Sequence, residues 1–194
     1  MNDKINHIIK ILREGGIIAY PTEGVYGLGC DPFNETAVLR VLKIKQRHIN
    51  KGLILIASNW NQVKNLINLD LKKYPVIKLN NKNPITWVFP ATKKVPRWIT
   101  GKFNSVAIRV TSHPIAKKIC QKFGGPIVST SANLTKQSPI TRLGQMDRPL
   151  VSKIDFIAQG RVGKLKKPTN ICDVKTGKVF RGQILIPPKP KITT

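Results

Sequence analysis

Apolar runs of strand length recur along this chain with helical periodicity between them, and that alternation restricts the fold more than any other feature. Residues 17–20, 53–57, 85–89, 105–110, 126–128 and 154–158 read as strands. Ile5, Ile8, Ile9 and Leu12 stand at helical spacing, so residues from about 3 to 14 form a helix closed by Gly15 and Gly16. Asn34 caps a second helix over about 35–45 with Val38, Leu39, Val41 and Leu42 inward, and Ser58 caps a short one over 59–67. Pro114 opens a further helix that ends at Gly124 and Gly125. Residues 137–149 read as a loop with one helical turn, and 171–174 and 178–180 as a hairpin. A closing hairpin excludes a purely parallel sheet, so the expected architecture is a single α/β domain with a mixed sheet flanked by helices.

A length of 194 residues suits one domain. Thirty-four Lys and Arg stand against nine Asp and Glu, a formal net charge of +25 that favours polyanionic partners such as RNA or nucleotides. The excess of Lys, Ile and Asn also fits compositional drift in an AT-rich genome. Cys30, Cys120 and Cys172 form no C-x-x-C pair, which excludes a zinc ribbon or a disulfide framework and fits a reducing cytoplasm. No run has the apolar core of a signal peptide or the length of a membrane span, so a soluble cytoplasmic protein is expected. Pro187, Pro188 and Pro190 mark 187–194 as a flexible Pro- and Lys-rich tail behind a domain at 1–186.

The polar groups gather at strand ends. After the apolar run to Tyr20, Pro21 stops the strand, and Thr22, Glu23 and Tyr26 follow among Gly24, Gly27 and Gly29 in what reads as a binding loop. An ordinary glycine-rich turn has the same composition. Lys43, Lys45 and Arg47 crowd a helix end, where sequence chemistry alone accounts for them as caps on the helix dipole. Alternation in 105–110 aims Ser105, Ala107 and Arg109 to one side. Residues 129–133, Ser-Thr-Ser-Ala-Asn, offer donors to phosphate or carboxylate oxygens, or else form a hydroxyl-capped turn. No Walker A loop, G-x-G-x-x-G, H-E-x-x-H or G-x-S-x-G occurs, and His7, His48 and His113 are scattered. The set Thr22, Lys45, Arg47, Ser105, Arg109, Ser129, Ser131 and Asn133 therefore suits anions, an ATP-like polyphosphate or an amino-acid carboxylate beyond the strand ends.

The order and spacing of Ala19-Tyr20-Pro21-Thr22-Glu23, Tyr26-Gly27-Leu28-Gly29, Lys45-Gln46-Arg47, the stretch 105–114 and the stretch 129–133 resemble the YrdC/TsaC/Sua5 family, the threonylcarbamoyl-AMP synthases, from about Ile5 to Gly182. The likeness is to the short single-domain bacterial form and implies a YrdC/RibB-like fold with a twisted mixed sheet. It implies a nucleotidyltransferase that converts L-threonine, bicarbonate and ATP to L-threonylcarbamoyladenylate and pyrophosphate for tRNA t6A37 biosynthesis. Lys45 and Arg47 match its K-x-R motif and are the expected catalytic, phosphate-gripping pair. Ser131 and Asn133 match its S-x-N motif and would hold ATP with Ser105, Ser129, Thr141 and Arg181. Thr22, Arg109 and Thr169 would bind threonine, Arg109 by a bidentate clamp on the carboxylate. Mg2+ is expected to arrive with ATP rather than on a carboxylate cluster. Implied partners are tRNA or double-stranded RNA and t6A-transfer proteins, with no membrane. Gly24 stands where relatives often carry Thr or Ala, and Asn81-Lys82-Asn83-Pro84 replaces a Trp-Pro-Gly-Pro type sequence. Two other functions compete: a non-catalytic double-stranded RNA-binding or ribosome-maturation protein, which the charge supports, and a carbamoyl-transfer module like that of hydrogenase maturation factors. The latter come with zinc-type cysteine motifs and an acylphosphatase domain that these residues lack.

Overall fold

The structure is a computed structural model that describes residues 2–74, 84–134, 137–165 and 168–182. The expected tail at 187–194 and the departure at 81–83 lie outside the described residues. Among the described residues nine strands run in chain order as β1 (Ile18–Pro21), β2 (Tyr26–Gly29), β3 (Ile54–Ala57), β4 (Thr86–Pro90), β5 (Ser105–Val110), β6 (Ile127–Ser131), β7 (Phe156–Ile157), β8 (Ile171–Asp173) and β9 (Val179–Arg181). The helices are α1 (Asn2–Arg13), α2 (Glu35–Ile44), α3 (Arg97–Thr100), α4 (Pro114–Phe123) and α5 (Arg148–Val151). The strands form one mixed sheet in the order β7-β1-β2-β6-β3-β5-β4-β8-β9, with β1–β7, β3–β5 and β4–β8 parallel and the remaining pairs antiparallel.

Register assigns every strand residue to a face, because side chains alternate and partners across a ladder share a side. Ser129 lies opposite Ile54, Ile54 opposite Ala107, and Ala107 opposite Val88, so this row belongs to one face. The other face carries Leu28, Leu53, Leu55, Val106, Ile108, Val128, Trp87 and Phe89, and packs Val38, Val41 and Leu42 of α2 and Ile99 of α3 into the larger core. The first face is divided along the strands. At one end Ile5, Ile8, Ile9 and Leu12 of α1 and Ala116, Ile119 and Cys120 of α4 cover Ile18, Tyr20, Ile56 and Ile127. Leu12 is wholly buried there, and truncation to Ala would cost about 2–5 kcal/mol. At the other end the same face presents Gly27, Ser105, Ala107, Ser129 and Ser131, too small and polar to seat a helix, and a cavity opens.

Several expectations need correction. Residues 26–29 are strand, not loop: β1 and β2 form a hairpin in which Pro21 pairs with Tyr26, and the Thr22 N–H donates to the Val25 carbonyl at 3.0 Å. Pro21 is tolerated as the last residue of β1, and glycines disguised β2 because they weaken strand composition. Tyr26 is core and does not face a ligand; its hydroxyl donates to the Gly160 carbonyl at 2.5 Å. Leu39 is 42% exposed, on the outer side of α2. Within 59–67 lie two 3-10 turns, Trp60–Gln62 and Lys64–Leu66, the first capped by the Asn59 side chain rather than by Ser58 and the second without a side-chain cap. The hydroxyl cluster begins inside β6, which runs on to Ser131.

Candidate functional site

The cavity on the open half of that face has a volume of about 530 Å³. Strand β5 measures its length: Ser105 and Arg109, both lining it, are four residues apart, roughly 13 Å at strand rise. Nine of the eleven expected residues line this space, namely Thr22, Arg47, Ser105, Arg109, Ser129, Ser131, Asn133, Thr169 and Arg181. Lys45 is not among the lining residues but its ammonium reaches the wall, donating to the main-chain carbonyl of Asn133. Thr141 stands apart. It is exposed, and its hydroxyl and N–H both donate to Gln145 Oε1, so the structure brings it to no other predicted residue.

The K-x-R turn is built by the end of α2. Lys45 is the C-cap, the Gln46 N–H donates to Lys43 O at 3.1 Å and the Arg47 N–H to Leu42 O at 3.0 Å, the paired bonds of a Schellman motif. That motif needs a left-handed residue, and Gln46 adopts φ 46° without being glycine. Helix capping and cation placement are thus one device. Arg47 donates from Nε and Nη2 to Gly52 O at 3.2 and 2.9 Å, which leaves Nη1 uncommitted to that carbonyl. Burial, and then the Arg47 charge, push the Lys45 ammonium down to about 8. Burial lowers Arg47 as well. Asn133 donates from Nδ2 to Leu134 O and Gln137 O, while its buried Oδ1 has no hydrogen-bond partner.

At the far end of β5, Arg109 is buried. Its Nη1 donates to Thr169 Oγ1 at 3.1 Å and its Nη2 to Ser129 Oγ at 3.5 Å. Arg181 donates from Nε and Nη2 to Thr169 O at 3.0 and 2.8 Å, and Thr169 Oγ1 also meets Thr86 Oγ1 at 3.1 Å. Thr169 is therefore a hub between two guanidiniums. Arg181 is lowered by burial first, then by the charges of Arg109 and Arg47. Thr22 donates its hydroxyl to Val25 O at 2.8 Å, closing the hairpin turn.

The sequence placed Glu23 in the expected binding loop but assigned it no role. It lines the cavity, and its Oε2 lies 3.5 Å from Arg109 Nη2. Its charge was legible beside Thr22, but the partner is supplied by β5. Also unforeseen is a strap at 163–165, whose Gly163 and Leu165 N–H groups donate to Thr22 O and Glu23 O, both at 2.9 Å. Leu165 and Pro139 form part of the wall. A Cβ on Gly24 would stand 2.6 Å from the Leu165 carbonyl oxygen, so the glycine admits the strap's close approach.

Such a cavity can hold two anionic groups, one at each end of β5, with cations beside both. The family model Sua5_yciO_yrdC, described as "Telomere recombination", matches residues 10–182. A protein of Coxiella burnetii (strain RSA 493 / Nine Mile phase I) named threonylcarbamoyl-AMP synthase is 49% identical over 178 residues, 91% of this chain and 96% of that protein. The crystal structure of P. abyssi Sua5 complexed with L-threonine matches with a TM-score of 0.81 at 30% identity, over 89% of this chain and 51% of that one. E. coli YciO matches with a TM-score of 0.82 at 28% identity, over 93% of this chain and 89% of that one.

Proposed function

The chain belongs to the Sua5/YciO/YrdC family, and we propose that it is a threonylcarbamoyl-AMP synthase, a transferase that acts as a nucleotidyltransferase on L-threonine, bicarbonate and ATP. One observation carries this reading: a buried guanidinium, Arg109, and the K-x-R arginine, Arg47, line one cavity. Arg109 stands near one end of β5 and Arg47, bonded to Gly52 O, beside the other; the wall residues Ser105 and Arg109 are roughly 13 Å apart along the strand. The threonine amine, its ammonium proton lost to solvent, attacks the bicarbonate carbon; a C–O bond breaks and water leaves, which gives a carbamate. A carbamate oxygen then attacks the α-phosphorus of ATP, the bond to the bridging oxygen of the β-phosphate breaks, and pyrophosphate leaves.

In this reading Arg109 clamps the threonine carboxylate, with Thr22 and Thr169 beside it. Lys45, Arg47, Ser131 and Asn133 grip the phosphates, assisted by Ser105, Ser129 and Arg181. The work is positioning and charge stabilisation, for which no covalent nucleophile is needed. The three cysteines suit none, since all are buried and burial pushes the Cys120 thiol up to about 12. Among the described residues no group of three or more His, Cys, Asp or Glu could hold a metal ion. In this reading Mg2+ arrives as part of the substrate, carried on the triphosphate. The product would serve t6A37 formation in tRNA, through transfer proteins of the cytoplasm. No described helix is long and apolar enough to cross a membrane.

Pyrophosphate release from MgATP, assayed with and without L-threonine and bicarbonate, tests the proposal. Release should require both, and release indifferent to threonine would overturn it.

A further inference from the structure

Within a cavity walled by cations, Glu23 is the one acidic residue among the described lining side chains. It is held firmly. Oε1 accepts the Thr111 hydroxyl at 2.5 Å and the Ser112 N–H at 3.1 Å, which ties the hairpin turn to the segment between β5 and α4. Oε2 is buried with no hydrogen-bond partner, 3.5 Å from Arg109 Nη2. Arg109 Nε is also buried and also has no hydrogen-bond acceptor. Glu23 Oε2 thus meets Arg109 as an ion pair without a hydrogen bond, and the same guanidinium keeps an N–H with no acceptor, so the pair has capacity left for a ligand that carries both an ammonium and a carboxylate.

We propose that Glu23 receives the α-amino group of the amino-acid substrate, so that Glu23 and Arg109 together read an α-amino acid by both of its charged groups; this rests on the synthase reading. Glu23 makes the site select against carboxylates that lack an amine, which Arg109 alone would accept. It also fixes which way the amine faces before the carbamate forms. Burial opposes ionisation of Glu23, but Arg109, the Thr111 hydroxyl and the Ser112 N–H outweigh it and hold the carboxyl below its ordinary range. At neutral pH Glu23 therefore holds an N–H group without taking its proton.

The test is calorimetric binding to the full chain of L-threonine and of 3-hydroxybutanoate, which keeps the carboxylate and side-chain hydroxyl but has no amine. Glu23→Gln should weaken L-threonine binding about 10-fold or more and 3-hydroxybutanoate by less than about 2-fold. Equal weakening of both ligands would mean that Glu23 only orients Arg109, and unchanged binding of both would mean that it does neither; each result overturns the proposal. Thr111→Val, which loosens Oε1 and keeps the carboxylate, should shift the same preference by a smaller factor and serves if the first variant fails to fold. ATP affinity, unchanged in both variants, reports an intact cavity. Failure of the wild-type chain to bind L-threonine at all would overturn the synthase reading itself.

Discussion

In the proposed role Lys45 is under two opposed demands. A phosphate clamp needs its ammonium, whereas burial, aided by the Arg47 charge, pushes it down to about 8. In the free protein the charge is half lost near pH 8 and falls further above it, so KM for ATP should rise as pH climbs through 8. A flat KM from pH 7 to 9.5 would contradict the assignment. The sign for stability is opposite. Because the folded value lies below the usual 10.5, the unfolded chain binds more protons between the two, and Lys45 contributes a stability gain as pH rises from about 8 towards 10.5. Lys45→Ala and Arg47→Ala should each lower turnover about 100-fold or more while circular dichroism stays native. How far such residues were legible follows from their chemistry. The K-x-R and S-x-N side chains carry their meaning in motif order, whereas the role of Glu23 depends on an arginine that only the sheet brings within 3.5 Å.

Elements were legible where one face decides them. α1 and α4 follow their apolar spacing, and Asn34 caps α2 as its type demands, accepting the Ala37 N–H. β2 was not, because Gly27 and Gly29 give it no apolar alternation, and its pairing depends on Tyr20 and Thr130 elsewhere in the chain. Nothing in the sequence announces the left-handed Gln46 either. Gln46→Gly should raise stability by about 1 kcal/mol, read from denaturant midpoints, with no gain in turnover. At the strap, Gly24→Ala should cost about 1–3 kcal/mol and raise KM for threonine, because the Leu165 carbonyl must move away from the wall. Gly144→Ala, whose Cβ would meet nothing within 4 Å, is the matched control and should change stability by less than about 0.5 kcal/mol.

On the scale of the whole molecule, the alternation of runs announced a mixed sheet, but not that one face would be shared between a helix pair and a cavity. That division is a property of register, which places Ile56 and Ile127 under α1 and α4 while Ser105, Ala107 and Ser129 face the open half. The net charge of +25 acts at the same scale and separates the synthase from the RNA-binding alternative. Duplex RNA affinity arising from that charge should fall steeply with salt, whereas threonine-dependent turnover should persist at salt concentrations that release the RNA. Salt-sensitive RNA binding without threonine-dependent turnover at any salt concentration would favour the alternative. The central claim, that the two ends of one cavity join threonine to an adenylate, is tested most directly by mass spectrometry of the products formed from L-threonine, MgATP and 13C-bicarbonate. The account predicts threonylcarbamoyl-adenylate carrying one 13C atom, formed in step with pyrophosphate and absent when threonine is withheld. ATP consumption without a 13C-labelled adenylate would contradict it.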